Sequence, residues 1–450
     1  MTIAEADLDL LRRFDRPGPR YTSYPTALRF GPAVDLDAYR EAAREVRGSR
    51  APLSLYVHLP FCASPCFYCG CNRVISRSAR TREEYLRHLL VEVRLQSALF
   101  DRSRCVEQLH LGGGTPTAYT PEQLSLLLDE IGRYFTIQHG SQREFSIEID
   151  PRTVDDATMR SIVDIGFNRV SLGVQDFDPD VQRAVNRVQP TDLTTRAIEA
   201  ARAAGVRSVN IDLIYGLPRQ RLATFEKTLD TVIELRPDRV ACYAYSHLPD
   251  MIKAQRAIQA SELPDDIQRL ELQGLAIRKL TAAGYHYIGM DHFALPENEL
   301  SVALHDGTLH RDFQGYSTRP SRDLVGLGVS AIGKVGACYV QNHKVLASYY
   351  EALQAGRLPV HRGVKRTRDD EIRGEVIQRI MCQGRVDRAE VGDRFGIRFD
   401  EYFAPEMQAV RQLGDVGITE LAGDDIRLTS AGRLLMRRVA MVFDSYLRPV

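Results

Sequence analysis

Apolar and polar positions in the first 245 residues follow two alternating periods. Runs dominated by apolar residues, at every position or every second one, fall at Leu53–Leu59, Val106–Leu111, Glu144–Ile149, Arg169–Val174, Ser208–Ile214 and Val240–Tyr243, and they predict strands. Between them the apolar spacing becomes helical. It does so over Thr81–Phe100 (Tyr85, Leu86, Leu89, Leu90, Val93, Leu95), Pro121–Tyr134, Val154–Ile165, within Pro179–Ala204 and over Leu222–Leu235. Strand, helix, strand in regular succession implies a parallel sheet with helices outside it, and a site at the strands' C-terminal ends. The fold predicted is α/β, a partial (β/α)6 TIM-like barrel.

After Tyr243 the pattern changes. A long helix is expected over Pro264–Ala283, then Tyr285–Gly289, then an irregular stretch through His292, His310, Gln314 and Gly315. From about Asp369 the chain is helical again, over Ile372–Met381, Arg388–Phe395 and Tyr402–Leu413. Ile418–Leu421, a turn at Gly423-Asp424-Asp425 and Ile426–Leu428 read as a hairpin before a last helix capped by Thr429 or Ser430. This end resembles a winged-helix module, mostly α-helical. The expected organisation is an N-terminal segment over 1–50, the barrel over 51–290, a barrel extension over 291–365 and the helical domain over 366–450.

Composition narrows the function class. The chain has 450 residues, 44% hydrophobic and 26% charged, which is ordinary for a soluble globular protein of two or more domains. Fifty-nine Lys and Arg against fifty-nine Asp and Glu give no net charge, so a nucleic-acid role for the winged-helix-like end is not favoured and anionic ligands must be met locally. No run approaches a membrane span. Nothing at Met1–Asp7 reads as a signal peptide, so a cytoplasmic, reducing location is expected and disulfides are not.

Three of the eight cysteines, Cys62, Cys66 and Cys69, lie directly after the first strand, three residues and then two apart. One short loop can wrap such thiolates around three corners of a [4Fe–4S] cube and leave the fourth iron open. A zinc knuckle needs four closed ligands, and Cys71 stands too close to Cys69 to complete one without a second pair downstream. Inert thiols are the remaining alternative. Cys105, Cys242, Cys338 and Cys382 are scattered and read as structural. The second strand ends in His110-Leu111-Gly112-Gly113-Gly114-Thr115-Pro116, where glycines let backbone approach a ligand or simply make a tight turn. Polar groups recur at later strand ends: Glu148 and Asp150, Gln175 and Asp176, Asp212, with Arg187 able to pair with a ligand carboxylate.

The cysteine loop and the glycine motif together resemble radical S-adenosylmethionine enzymes. Tyr21-Thr22-Ser23-Tyr24-Pro25-Thr26, Tyr56–Cys62, Cys69-Gly70-Cys71-Asn72, Asn168–Gln175, Asn210–Pro218 and Gly289-Met290-Asp291-His292-Phe293 resemble the oxygen-independent coproporphyrinogen III oxidases (dehydrogenases) of that superfamily. The resemblance runs from about Arg20 to Tyr446. It implies that Cys62, Cys66 and Cys69 hold the cluster, with Cys71 a possible catalytic participant. It implies a cofactor shell of Tyr56, Tyr68, Gly112, Gly113, Gly114, Thr115, Glu148, Gln175, Arg187, Asp212, Ser246 and Ile332 around two S-adenosylmethionine molecules. Tyr68 and Ser246 depart from the phenylalanine and alanine common in the family. The implied substrate is coproporphyrinogen III, the donor a reduced flavodoxin or ferredoxin, and the protein a monomer without nucleic-acid or membrane partners. Four substrate carboxylates require local cations, and Arg20, with Tyr21 and Tyr24, is the candidate group in a segment expected to close over the barrel. Two rivals stay open, a haem chaperone and a haem-modifying radical enzyme of the same superfamily. Chaperones of this kind generally lack both Cys71 and the Tyr21–Thr26 run.

Overall fold

The computed structural model describes residues 5–140, 143–319 and 323–447. They form two compact units, one from the described residues of 29–264 with 323–365, the other from 5–28 with 265–319 and 366–447. These units cut across the four ranges expected from the sequence, because each gathers segments that are distant in the chain.

The larger unit is built on a twisted sheet. Six of its strands are β1 (Leu53–Leu59), β2 (Cys105–Gly113), β3 (Glu144–Ile149), β4 (Arg169–Gln175), β5 (Ser208–Tyr215) and β6 (Arg239–Ala244). All five neighbouring pairs are parallel. The helices between them are α1 (Ala79–Ser97), α2 (Pro121–Tyr134), α3 (Asp156–Ile165), α4 (Thr191–Ala203) and α5 (Leu222–Leu235). Their starts are written locally: Thr120 and Gln123 form a reciprocal capping box on α2, and Asp155 caps α3. In β3, Phe145, Ile147 and Ile149 are buried while Glu144, Ser146 and Glu148 are only partly so. β4 and β5 alternate in the same way. One face of each strand thus carries the apolar core and the other a polar lining.

Four further strands lie beyond β1. β7 (Asp323–Leu327) pairs with it in parallel, Leu55 opposite Val325. β8 (Ile332–Val335), β9 (Cys338–Asn342) and β10 (Val360–Lys365) follow as antiparallel neighbours, giving the order β6-β5-β4-β3-β2-β1-β7-β8-β9-β10. The sequence reading left this stretch as an extension without strands. The runs are short and interrupted by glycine, and their pairing with β1 is set by contacts hundreds of residues away. A buried carboxylate secures the junction. Glu92 of α1 accepts from Tyr349 (2.6 Å), Asn342 (2.7 Å) and the Gly328 N–H (2.7 Å), and burial raises its pKa to about 7.

The second unit is mostly helical. Arg368–Gln383, Arg388–Phe395 and Ala404–Asp415 accompany an antiparallel sheet of Arg385–Asp387, Asp425–Leu428 and Thr419–Ala422, in which the hairpin expected from the sequence is joined by a third strand, Arg385–Asp387, that it did not predict. Ile372, Val376, Ile380, Phe403, Met407 and Phe443 belong to its core. Tyr21 and Tyr24 belong to the same core, 3% and 5% exposed. Tyr21 donates to Asp444 (3.0 Å), and the Tyr24 hydroxyl meets Ser445 at 3.1 Å. Their assignment to substrate is corrected: both rings and both hydroxyls are used in packing. Arg20 stays partly exposed, 40% at the side chain, and is ion-paired with Asp291. No helix among the described residues is long and apolar enough to cross a membrane.

Candidate functional site

The cysteine loop is anchored from several sides. Phe61–Cys62 pairs with Val74–Ile75, and Ser76 N–H donates to the Cys62 carbonyl at 2.9 Å. Arg73 closes the loop from within, with Nη1 on the Cys69 carbonyl (2.6 Å) and Nη2 on that of Cys66 (3.1 Å). Asn186 reaches the Pro65 carbonyl at 2.7 Å, and the buried Gln255 bridges the carbonyls of Tyr68 (3.1 Å) and Ser246 (3.0 Å). None of these bonds uses a thiol.

The sulfurs have their own partners. Thr115 Oγ1 donates to Cys62 Sγ at 3.4 Å, and Arg187 Nη1 lies 3.5 Å from Cys66 Sγ. The Cys71 thiol hydrogen-bonds to Cys69, and this, with Arg73 and Arg187 nearby, outweighs burial and holds Cys69 below the usual thiol range. Burial pushes Cys62 up. Among the described residues no three His, Cys, Asp or Glu side chains converge on a single ion. Thiolates with charge-stabilising donors at Thr115 and Arg187 fit the corners of a cluster.

The glycine motif is sterically required. A Cβ on Gly114 would stand 2.5 Å from the Pro60 carbonyl carbon, and one on Gly113, at φ 113°, would meet the His58 ring at 2.6 Å. Gly112 faces the Glu148 carboxylate in the same way, at 2.8 Å. The motif thus brings β2 close both to the cysteine loop and to the polar lining. Glu148 accepts from Gly113 N–H (3.0 Å) and from His110 Nε2 (3.2 Å). Burial pushes its pKa up, but His110, Gly113 and His58 outweigh that and keep it depressed. Asp212 accepts from Ser171 (2.8 Å) and Asn210 (2.9 Å), and burial, reinforced by the Glu148 charge, raises its pKa to about 6. Tyr56 stacks on His110 at 5.8 Å and bonds to His58 Nδ1 at 3.0 Å. Since His58 Nε2 faces the Asn72 carbonyl at 2.8 Å, that nitrogen carries the proton, and Tyr56 donates.

Arg187 is placed differently from the sequence expectation. Its Nη1 donates to Asp150 (3.0 Å) and its Nη2 to the Gly173 carbonyl (2.5 Å), so the fork is already engaged and only Nε lacks a partner. Burial works against its charge, but Tyr68, Asp150 and Cys66 more than compensate. Gln175, at φ 71°, places its side-chain nitrogen 3.0 Å from where a Cβ on Gly173 would stand. Ser246 follows β6, and Ile332 opens β8. Arg20 lies in the other unit. Sequence reasoning missed Arg73, His58 and Gln255 as contributors, gave His110 only as part of the glycine motif and gave Asp150 no partner. His58 and His110 share the alternating lining positions of Tyr56 and Glu148, a usable signal, but Arg73 and Gln255 act on carbonyls and leave no pattern.

A parallel barrel carrying an open cysteine loop at its first strand defines a radical SAM protein, and residues 56–232 match the model of the radical SAM superfamily. Residues 367–435 match that of the HemN C-terminal domain. The chain belongs to the oxygen-independent coproporphyrinogen III oxidase family. It is 46% identical over 441 residues to the oxidase of that name from Pseudomonas aeruginosa, covering 98% of this chain and 96% of the relative. Identity to that of Escherichia coli is 43% over 442 residues, with 98% and 96% coverage. The solved structure of the Escherichia coli coproporphyrinogen III oxidase, described as a radical SAM enzyme, superposes with a TM-score of 0.93 at 42% identity, covering 98% and 99% of the two chains.

Proposed function

We propose that this chain converts two propionate side chains of coproporphyrinogen III to vinyl groups without oxygen, giving protoporphyrinogen IX in haem biosynthesis. The observation that carries the reading is full-length likeness, in sequence and in fold, to oxidases of that name. When bound, the [4Fe–4S] cluster and S-adenosylmethionine supply a 5′-deoxyadenosyl radical that takes a hydrogen from the propionate β-carbon, after which carbon dioxide and one further electron leave.

The chain's residues bind, orient and exclude. Cys62, Cys66 and Cys69 would ligate the cluster, with Thr115 and Arg187 donating to the sulfurs. Gly112, Gly113, Gly114, Thr115, Glu148, Gln175 and Asp212 would hold the amino-acid and ribose parts of the cofactor, while Arg187, its fork engaged by Asp150 and Gly173, would act on the cluster side through Cys66. The carboxylates act as hydrogen-bond acceptors, because the reaction needs no general base on the protein. Tyr56, fixed by His58 and His110, would present a rigid ring, and Tyr68, Ser246 and Ile332 would complete the lining with a second S-adenosylmethionine. Cys71, exposed beside the loop, is available for a proton or hydrogen relay. Arg20 remains a candidate partner for a substrate carboxylate. A reduced flavodoxin or ferredoxin, a monomeric state and a cytoplasmic location complete the proposal.

Anaerobic incubation with dithionite tests it. Cleavage of S-adenosylmethionine that depends on coproporphyrinogen supports the oxidase, whereas tight one-to-one haem binding without such cleavage would replace it with a chaperone.

A further inference from the structure

One surface beside the cysteine loop is charged in a way the fold does not use. Between Cys62 and Arg82 the chain carries Arg73, Arg77, Arg80 and Arg82 and no acidic residue, although the whole protein is neutral. α1 begins at Ala79, so its first turn holds basic residues and no acid, an arrangement that opposes the helix dipole. The helix would be more stable without them.

Hydrogen bonds join these cations to a second basic segment. Arg77 Nε donates to the Ala63 carbonyl at 3.3 Å, and Arg73 to those of Cys66 and Cys69. Asn72 Nδ2 donates to the carbonyl of Lys344 at 3.1 Å. Lys344 lies close enough to Arg362 for that charge to lower its pKa, second to burial, and the rings of His343 and His361 are 4.8 Å apart. Arg73, Arg77, Arg80, Lys344 and Arg362 form no ion pair with a carboxylate among the described residues. The acids nearby are Glu351, which acts weakly on His343, and Glu83 and Glu84, which follow Arg82 on α1. Two large apolar side chains stand among the cations, Ile75 45% exposed and Val345 62% exposed. Uncompensated charge around exposed aliphatic groups is the composition of a protein-docking rim rather than of a solvated face.

We infer that this rim, from Ile75, Arg77 and Arg80 to Lys344 and Val345, docks the acidic face of a one-electron carrier protein. The inference rests on the functional reading above, which requires an electron at the cluster. On that reading the electron comes from a separate reductant, which must approach the chain beside the ligand loop. The rim adjoins the ligand loop, since Ile75 pairs with Cys62 and Arg77 donates to the Ala63 carbonyl. In the step proposed, one electron passes from the carrier's reduced flavin or iron–sulfur centre to the oxidised cluster. The carrier is oxidised and the cluster reduced by one, with no bond formed and no proton moved. A nucleic-acid polyanion is less well matched, because it would leave Ile75 and Val345 without an apolar partner.

The test compares the holoenzyme with the triple variants R77E/R80E/K344E and R77Q/R80Q/K344Q, using a bacterial flavodoxin as probe. The main readout is equilibrium binding of oxidised flavodoxin, supported by the rate at which reduced flavodoxin bleaches the cluster's visible absorbance. The charge-reversed variant should bind roughly 10- to 100-fold more weakly and the neutral one several-fold more weakly, both differences shrinking in high salt. Product formation driven by dithionite, which needs no docking, should match wild type in both. Unchanged flavodoxin affinity in the reversed variant would overturn the inference. So would a parallel fall in dithionite-driven turnover, which would assign the cations to substrate or fold, or binding of phosphatidylserine vesicles through these residues without flavodoxin binding. Wild-type protein that makes no product even with dithionite would instead defeat the functional reading.

Discussion

Replacing Asp212 by asparagine should stabilise the apoprotein above pH 6 while weakening its hold on S-adenosylmethionine. The carboxyl accepts two hydrogen bonds, from Ser171 and Asn210, yet burial and the neighbouring Glu148 charge raise its pKa from 3.8 to about 6. The folded chain therefore binds this proton more tightly than the unfolded chain. The stability so gained is present below the unfolded pKa and is lost as pH rises through the folded one. The gap corresponds to about 3 kcal/mol at most, and solvent relaxation around a partly buried group reduces this to about 1–2 kcal/mol. Asparagine carries no charge, and the Ser171 hydroxyl can rotate to accept from its amide. At about 1–2 °C per kcal/mol for a unit of this size, D212N should melt roughly 2–3 °C above wild type at pH 8. Below about pH 3.8, where the carboxyl is protonated in the unfolded chain as well as in the folded one, the two should coincide. Scanning calorimetry of the anaerobic apoprotein reads the first effect. Isothermal titration of the cluster-loaded protein reads the second, a loss of about 1.5–3 kcal/mol of cofactor affinity for a removed charged hydrogen-bond acceptor. Equal melting temperatures at pH 8, or a lower one for D212N, would show that the hydrogen bonds already compensate the charge and would refute the reasoning.

Other perturbations follow from the same geometry. Cys62→Ala, Cys66→Ala and Cys69→Ala should each abolish the visible iron–sulfur absorbance and the activity, while Cys71→Ala should keep the absorbance and impair turnover; loss of iron in the Cys71 variant with retention in the Cys69 variant would reverse the ligand assignment. Gly114→Ala must push the Pro60 backbone away from a Cβ 2.5 Å distant, and iron content after reconstitution should fall along with about 1–3 kcal/mol of stability in denaturant titration. Glu92→Ala strands Tyr349, Asn342 and the Gly328 N–H and should cost about 3–5 kcal/mol, with Glu92→Gln much milder. Deleting residues 1–30 removes Tyr21 and Tyr24 from a core they help fill, so circular dichroism should register loss of packing in the helical unit and not only loss of turnover.

The barrel was legible because its strands and helices advertise different periods. β1 was placed residue for residue, and β3 to β6 were placed to within about one residue at each end. The polar lining was legible for the same reason. Glu148 and Asp212 occupy alternate positions in strands whose other positions are Phe145, Ile147, Ile149, Ile211 and Leu213. Two kinds of information were hidden. β7 to β10 depend on long-range pairing that overrides a weak local signal, as Leu324 opposite Lys334 illustrates. The duties of individual polar groups also depend on partners that the sequence does not bring together. Arg187 looked free to grip a ligand carboxylate, but Asp150, thirty-seven residues earlier, occupies its fork. Tyr21 and Tyr24 looked like lid residues, and Asp444 and Ser445 near the far end of the chain make them core.

The central claim is that the chain's site directs a radical at the β-carbon of a substrate propionate. Coproporphyrinogen III deuterated at the propionate β-carbons, incubated anaerobically with dithionite and unlabelled S-adenosylmethionine, tests it most directly. The account predicts protoporphyrinogen IX on chromatography together with two equivalents of 5′-deoxyadenosine, each carrying one deuterium in its methyl group. Protoporphyrinogen formed with unlabelled 5′-deoxyadenosine, or cofactor cleavage without loss of propionate, would contradict it.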